Sequence, residues 1–365
     1  MGPEENFKQI YKSNSINIIM KFIKPKKLSK GDTVAVLSPS KGLPSVFPHV
    51  FDNGLKVLRE KFGLKIKEFP TARMNLKELH ENPKIRAKDI NDAFLDKDVK
   101  AIIASIGGDD SIRILKYINK KIIKNNPKIF MGYSDTTTLN TFFNQIGLIS
   151  FNGPSIMGGF SQMNNFPESE KHIQEILFNN PLTYEYKPYS IWTNNYKDWS
   201  KKENVGQVGE IQKSKGWNWV QGESVVRGEI FGGCIEVLEM MKGTEYWPKK
   251  DFWKGKILFL ETSEDKPSPD YIKYAFRNYG IQGIFDKIEA IIIGRARDYT
   301  EEEKKQLEVN ITEVVSNEFG HHEIPIITNM DFGHTDPQFI LPLGIKAEID
   351  CKNKTFRLVE SACTD

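Results

Sequence analysis

Ser134, in Gly132-Tyr133-Ser134-Asp135, sits where an apolar run ends and a helical pattern begins. The run Lys128-Ile129-Phe130-Met131, bounded by Pro127, predicts a short interior strand. Thr136 to Gln145 carries Leu139, Phe142 and Phe143 at helical spacing. A serine at such a turn is lifted above the sheet, with the first amides of the helix directed at whatever it attacks. That geometry makes a hydroxyl a candidate nucleophile. The segment departs from the Gly-x-Ser-x-Gly elbow, because Thr136 stands where the last glycine would be. Ser and Asp are also favoured helix caps, so the segment alone favours a cap over a nucleophile.

A serine nucleophile needs a base within hydrogen-bond reach and a group that holds the base in one tautomer. The chain has six histidines. His49 and His172 fall on polar helical stretches and His80 in a charged segment, where solvation is expected. His321 and His322 follow Gly320 at a helix end, which the helix dipole favours for cations, and their spacing is a weak metal signal. His334 differs, lying past a strand end in Gly333-His334-Thr335-Asp336-Pro337, where α/β proteins put working residues. Glu261 directly follows the apolar run Ile257-Leu258-Phe259-Leu260 and is expected to be partly buried. A buried carboxylate must be paired; a histidine or an arginine would serve.

Gly107-Gly108 after a strand permits close backbone approach and could supply an oxyanion-binding amide. The following Asp109-Asp110 suggests a rival, the Gly-Gly-Asp-Gly phosphate turn of some kinases, although Asp110 replaces the last glycine. Cys234 after Gly232-Gly233 could be a thiol at a helix start or a small packing residue. Ser38 and Ser40 read as turn formers.

The elements that must position these groups alternate from Gly31 onward. Strand-like runs at Thr33–Leu37, Leu64–Phe69, Ala101–Ile106 and the Ser134 strand are separated by helical patterns, which implies a parallel sheet covered on both faces. Residues 181–228 have a different texture, rich in Tyr, Trp, Lys and Asn without a persistent period, and read as long loops that could wall a site. All six tryptophans lie between Trp192 and Trp253. Apolar runs resume at Ile257, Ala290 and Ile326, with helical patterns at Tyr271–Tyr279 and Glu303–Phe319 and a terminal hairpin at Ile345–Ile349 and Thr355–Val359. The expected organisation is an extension over 1–24, poorly ordered, with Met20 a possible start; a domain over 25–180; a connecting region over 181–228; and a second domain over 229–365.

Composition excludes some classes. The net charge of +3 is small and the lysines are dispersed, so nucleic acid is not an expected partner. No apolar run approaches the ~20 residues of a membrane span. Three cysteines without metal-ligand spacing fit a reducing, cytoplasmic setting.

Taken in order, Gly31-Asp32 with Ser38-Pro39-Ser40, Ile106-Gly107-Gly108, Gly132-Tyr133-Ser134-Asp135-Thr136, Gly153-Pro154, Gly232-Gly233, Phe259-Leu260-Glu261 and Gly333-His334-Thr335 resemble the LD-carboxypeptidase serine peptidase family. The resemblance covers residues 28 to 360, and the microcin C immunity amidase branch looks closer than the short muramoyl-tetrapeptide carboxypeptidases. It implies an N-terminal flavodoxin-like α/β domain with the nucleophile, a C-terminal β-rich α/β domain with the glutamate and histidine, and an active site between them. It also implies no metal or other cofactor, and commonly a homodimer. Residue by residue, Ser134 matches the nucleophile, His334 the general base and Glu261 its orienter. The amides of Gly108 and Asp135 match the oxyanion hole, with any cap role passing to Asp135. Gly107, Asp109, Trp192 and Trp199 are expected substrate contacts; Asp109-Asp110 departs from the immunity amidases. The substrates implied are murein-type L,D-peptides or peptidyl-nucleotides. Arg227, Arg295 and Arg297 could each receive a free carboxylate. The alternatives are a non-catalytic flavodoxin-like binding protein and a nucleotide-dependent phosphotransferase.

Overall fold

The computed structural model describes residues 22–365. The predicted extension and the possible start at Met20 fall largely outside the described residues. From Ile23 the chain is engaged: its amide donates to the Gly147 carbonyl at 2.7 Å, and Lys24 pairs with Glu360 at 2.8 Å.

In chain order the strands are β1 (Thr33–Leu37), β2 (Lys65–Glu68), β3 (Val99–Ala104), β4 (Ile129–Gly132), β5 (Ser150–Asn152), β6 (Tyr184–Tyr186), β7 (Ile191–Thr193) and β8 (Ile211–Lys213). They continue with β9 (Asn218–Gln221), β10 (Val225–Cys234), β11 (Lys256–Glu261), β12 (Ala290–Gly294), β13 (Ile326–Met330), β14 (Leu341–Leu343), β15 (Lys346–Asp350) and β16 (Thr355–Leu358). One sheet has the order β14-β5-β4-β3-β1-β2, in which β2, β1, β3, β4 and β5 are parallel. That 2-1-3-4-5 order is flavodoxin-like. The inner strands β1, β3 and β4 are buried on both faces, which is why they read as unbroken apolar runs rather than alternating ones.

The second sheet, β6-β16-β15-β10-β11-β12-β13-β9, has a parallel centre, β10 to β13, and antiparallel edges. Its helices include Pro269–Ile281 and Glu301–Thr312, with the terminal hairpin formed by β15 and β16. Two crossings stitch the sheets together. After β13 the chain leaves the second sheet, runs through residues 331–340, adds β14 antiparallel to β5 of the first sheet, and returns as β15.

The region 181–228 is not a stretch of loops. Here β6 pairs with β16, β7 with β8, and β9 with β13. Segments of three or four residues at sheet edges are too short to display a period, so the pattern could not reveal them. The segment after Gly107-Gly108 forms a tight 3₁₀ turn, Ser111–Tyr117, instead of an α-helix.

Candidate active site

Ser134 occupies the first position after β4 and Tyr133, and its backbone is left-handed, with φ of 59°. A non-glycine residue held there costs roughly 1–3 kcal/mol, which the surrounding packing must offset. The packing is visible on one side: a Cβ added to Gly107 would stand 2.7 Å from the Ser134 Cβ and 3.4 Å from the Asp135 amide nitrogen. Only glycine lets the β3 turn approach the serine so closely. Asp135 is the second residue of the turn that starts the helix Thr137–Gln145, so its amide is among those a helix start leaves without an intrahelical acceptor.

The cap expected of Ser134 and Asp135 is not made on their own helix. The Asp135 carboxylate instead accepts from the amides of Asp110 and Ser111, at 3.1 and 2.8 Å, and caps the neighbouring turn. It is buried, and burial raises its pKa against those hydrogen bonds. Asp110, the residue that suggested a phosphate turn, is held by the fully buried Arg86 at 2.6 and 3.0 Å and by Arg113 at 2.7 Å. Asp109 is exposed, 3.7 Å from the Lys41 ammonium.

The second sheet delivers the other groups. Glu261 ends β11 with its side chain fully buried. His334 lies in the crossing from β13 to β14, which carries it to the sheet that holds Ser134. His334 Nδ1 is 2.6 Å from Glu261 Oε2, and His334 Nε2 is 3.0 Å from Ser134 Oγ. Three groups separated by 127 and 73 residues thus form one hydrogen-bonded chain. Gly333 makes the middle link possible. Its φ is +99°, and a Cβ there would stand 2.8 Å from the Glu261 Cβ. The Tyr133 ring packs edge-on against the imidazole, centroids 5.0 Å apart. Burial disfavours a charged imidazole, but the Glu261 and Glu264 carboxylates outweigh it and raise the His334 pKa. Burial raises Glu261, with His334 opposing.

Gly232-Gly233 joins the halves: a Cβ on Gly233 would stand 2.4 Å from Thr137, the first residue of the helix after Ser134. The Cys234 amide donates to Thr137 Oγ1 at 3.0 Å. The Cys234 thiol is buried and its pKa is pushed well up by burial, so it is a packing residue. Ser38 is buried against Ser105 at 2.6 Å.

Other candidates separate. His49 meets the Trp199 carbonyl at 2.7 Å, and His80 is exposed beside Asp110. His172 was expected in solvent, but it is buried between the Tyr184 hydroxyl and the Ile340 amide, each at 2.8 Å. A polar helix of seven residues, Pro167–Ile173, concealed the face that turns inward. His321 faces Asp286 and Glu323. Among the described residues no group of three or more His, Cys, Asp or Glu side chains could hold a metal. Arg227 pairs with Glu348 at 2.6 Å, and the buried Arg295 with Asp331 at 2.6 Å; Arg297 is one-fifth exposed beside Asp298.

The two aromatic candidates differ in setting. Trp199 stacks on Tyr196, centroids 5.3 Å apart, and meets Phe47 edge-on. Trp192 packs under Arg295 and Lys304 and lines a cavity of about 250 Å³ with Lys213, Lys215 and Asn329, whose walls exclude the Ser134 cluster. Beside Trp192, Thr193 exchanges two backbone hydrogen bonds with Asp336, at 2.7 and 3.1 Å, so the aromatic segment is tied to the His334 loop. Sequence reasoning missed Glu264, whose Oε2 is 3.0 Å from His334 Nε2. It lies in the polar loop Thr262-Ser263-Glu264-Asp265, where no local pattern separates it from a solvated glutamate.

Comparison with known proteins agrees with this architecture. Residues 34–153 match the LD-carboxypeptidase N-terminal domain and residues 227–349 the LD-carboxypeptidase C-terminal domain. The chain is 29% identical over 338 residues to the Escherichia coli microcin C7 self-immunity protein MccF, covering 91% of this chain and 94% of that protein. It is 26% identical over 333 residues to a probable murein peptide carboxypeptidase of Bacillus subtilis, covering 91% and 93%. Among solved structures, an MccF-like protein from Streptococcus pneumoniae in complex with AMP superposes with a TM-score of 0.81 at 27% identity, over 90% of this chain and 98% of that one. No helix among the described residues is long and apolar enough to cross a membrane. With both halves matched in order, the chain belongs to the LD-carboxypeptidase family and is a serine peptidase or amidase.

Proposed function

We propose that Ser134, His334 and Glu261 form a catalytic triad that hydrolyses an amide bond through an acyl-enzyme. The observation that carries the reading is the continuous hydrogen-bond chain from Ser134 Oγ through both ring nitrogens of His334 to Glu261. Ser134 attacks the carbonyl carbon and gives its proton to His334 Nε2. Glu261 stabilises the resulting imidazolium. The amides of Gly108 and Asp135 receive the developing oxyanion. Imidazolium returns the proton to the leaving amine, and a water activated by His334 then releases the acyl group.

The substrate reading we favour is a peptidyl-nucleotide. MccF has been solved with glutamyl sulfamoyl guanosine and with aspartyl sulfamoyl adenosine. The stacked Tyr196 and Trp199 rings, on the segment tied to the His334 loop, suit a nucleobase face. Gly107 and Asp109 complete the proposed contacts, and Trp192, which lines a separate cavity, is not among them. A murein-type L,D-peptide is the second reading, favoured by Arg297, whose charge reaches the Glu264 side of the cluster and could meet a terminal carboxylate. Measured side by side, turnover of an aminoacyl sulfamoyl adenosine without turnover of an L,D-tetrapeptide is the expected result; the reverse would overturn the nucleotide reading. Labelling of Ser134 by a fluorophosphonate separates the hydrolase from a binding module. Binding of ATP with magnesium would favour the phosphotransferase, against which Arg86 and Arg113 already neutralise Asp110. The homodimer belongs to the same reading and is checked by light scattering.

A further inference from the structure

His334 Nε2 has two partners at equal distance, Ser134 Oγ at 3.0 Å and Glu264 Oε2 at 3.0 Å. Nδ1 is already committed to Glu261 at 2.6 Å. A carboxylate only accepts, so an imidazole with carboxylates on both nitrogens donates from both and is an imidazolium. An imidazolium has no lone pair with which to take the Ser134 proton. The resting arrangement therefore pairs a nucleophile with a base that is already full.

The two carboxylates are not equivalent. The Glu261 side chain is 0% exposed, and Gly333 closes over it. The Glu264 side chain is 56% exposed, in the short loop between β11 and the helix Pro269–Ile281. One is locked in place; the other can leave. Among the described residues the remaining charged or titratable groups around the pair are Cys234 at the end of β10, Glu236 from the helix after it, Arg297 after β12, Asp336 from the His334 loop itself, and Tyr133. Arg297 favours the ionised Glu264, whose pKa is held down to about 2, first by its hydrogen bond to His334. Glu264 is thus a carboxylate at any working pH, and its position, not its protonation, is what can change.

We propose that Glu264 gates the general base: seated on Nε2 it holds His334 protonated and unable to accept, and its withdrawal when a ligand enters hands Nε2 to Ser134. On withdrawal the Nε2 proton passes to water. That leaves a neutral imidazole with Nδ1–H on Glu261 and the lone pair on Nε2, the state in which Ser134 O–H donates. Glu264 is a positioning residue, acting through His334 and forming no bond to substrate in this step. The inference rests on the triad reading.

The test is the rate of fluorophosphonate labelling of the full chain as a function of pH, in wild type, Glu264→Gln and Ser134→Ala. The probe reads serine nucleophilicity without any assumption about substrate. Wild type is expected to label slowly at neutral pH and faster into the alkaline range. Glu264→Gln is expected to shift that rise to lower pH by a unit or more, labelling about tenfold faster at neutral pH. An unchanged profile in Glu264→Gln, with Ser134→Ala unlabelled, overturns the gate and leaves the triad intact. Labelling of Ser134→Ala, or none in wild type at any pH, removes the triad reading and the gate with it. Should Glu264→Gln fail to fold, ¹⁵N spectra of the wild-type imidazoles decide. Protonation of both His334 nitrogens at neutral pH is expected, and an unprotonated Nε2 overturns the proposal.

Discussion

His172 and His334 are buried alike, 2% and 5% exposed, and the protein treats them in opposite ways. His172 has neutral partners. Its Nε2 accepts from the Ile340 amide, so Nδ1 carries the proton and donates to the Tyr184 hydroxyl. Burial alone shifts it and lowers its pKa to about 3. His334 suffers the same desolvation, but Glu261 and Glu264 reverse its sign. Burial sets the cost of a charge; the neighbouring carboxylates decide whether the charge is present. One histidine is a strut between the tyrosines and the chain before β14. The other is held between two carboxylates within hydrogen-bond reach of the Ser134 hydroxyl.

The largest contrast is in turnover. His334→Ala is expected to lower kcat by about 10⁴-fold or more, as removal of a triad base does. His172→Ala should leave kcat of the folded protein near wild type while costing about 2–4 kcal/mol of stability, from the cavity and the unpaired Ile340 amide. A comparable collapse of kcat in His172→Ala, at a temperature where it is folded, would erase the distinction. Next comes Glu261→Gln, expected to cost about 10³–10⁴-fold in kcat, because the amide can present N–H to Nδ1 and stabilise the wrong tautomer. Retained activity would mean that Glu261 does not orient the base.

The pH dependence of stability sharpens the pair further. The folded pKa of His172 lies below its unfolded value, so the unfolded chain gains a proton that the folded chain refuses. Stability from this site falls as pH drops from about 6.5 toward 3, then levels. His334 is raised, so its contribution is fully present below about 6.5 and is lost as pH climbs through its folded value. Thermal midpoints across pH should therefore lose part of their acid decline in His172→Gln. An unaltered acid limb would contradict a neutral, buried His172. The smallest effect concerns backbone. Gly107→Ala should cost about 1–3 kcal/mol by pushing a methyl into the Ser134 turn, with slower fluorophosphonate labelling; equal stability and labelling would show that the turn has room.

The placement of the three candidate residues was legible from local pattern. The strand ending at Ser134, the acid after Ile257-Leu258-Phe259-Leu260 and the histidine past Ile326-Ile327 each announce themselves by an apolar run stopping at a polar residue, and β4, β11 and β13 lie where those runs stand. What stayed hidden has two physical sources. Short edge strands such as β7 and β9 carry too few residues to display alternation. The helix bearing His172 is polar overall and buries only a narrow face, so composition misled where geometry decides. Glu264 escaped notice because nothing in a loop of mixed polarity distinguishes a solvated glutamate from one reaching a histidine 70 residues away.

By itself the amino-acid order determined that Ser134, Glu261 and His334 stand at strand ends, because buried strands must be apolar and their polar successors must emerge at an edge. It also determined that Gly333 directly precedes His334. Only the tertiary structure decided that the three ends meet. The chain crosses from β13 to β14 between two sheets, Gly233 lets β10 close on Thr137, and the imidazole comes to rest between two carboxylates and a hydroxyl. Hydrogen-bond reach is about 3 Å, and no pattern along a chain specifies distances of that order between residues so far apart.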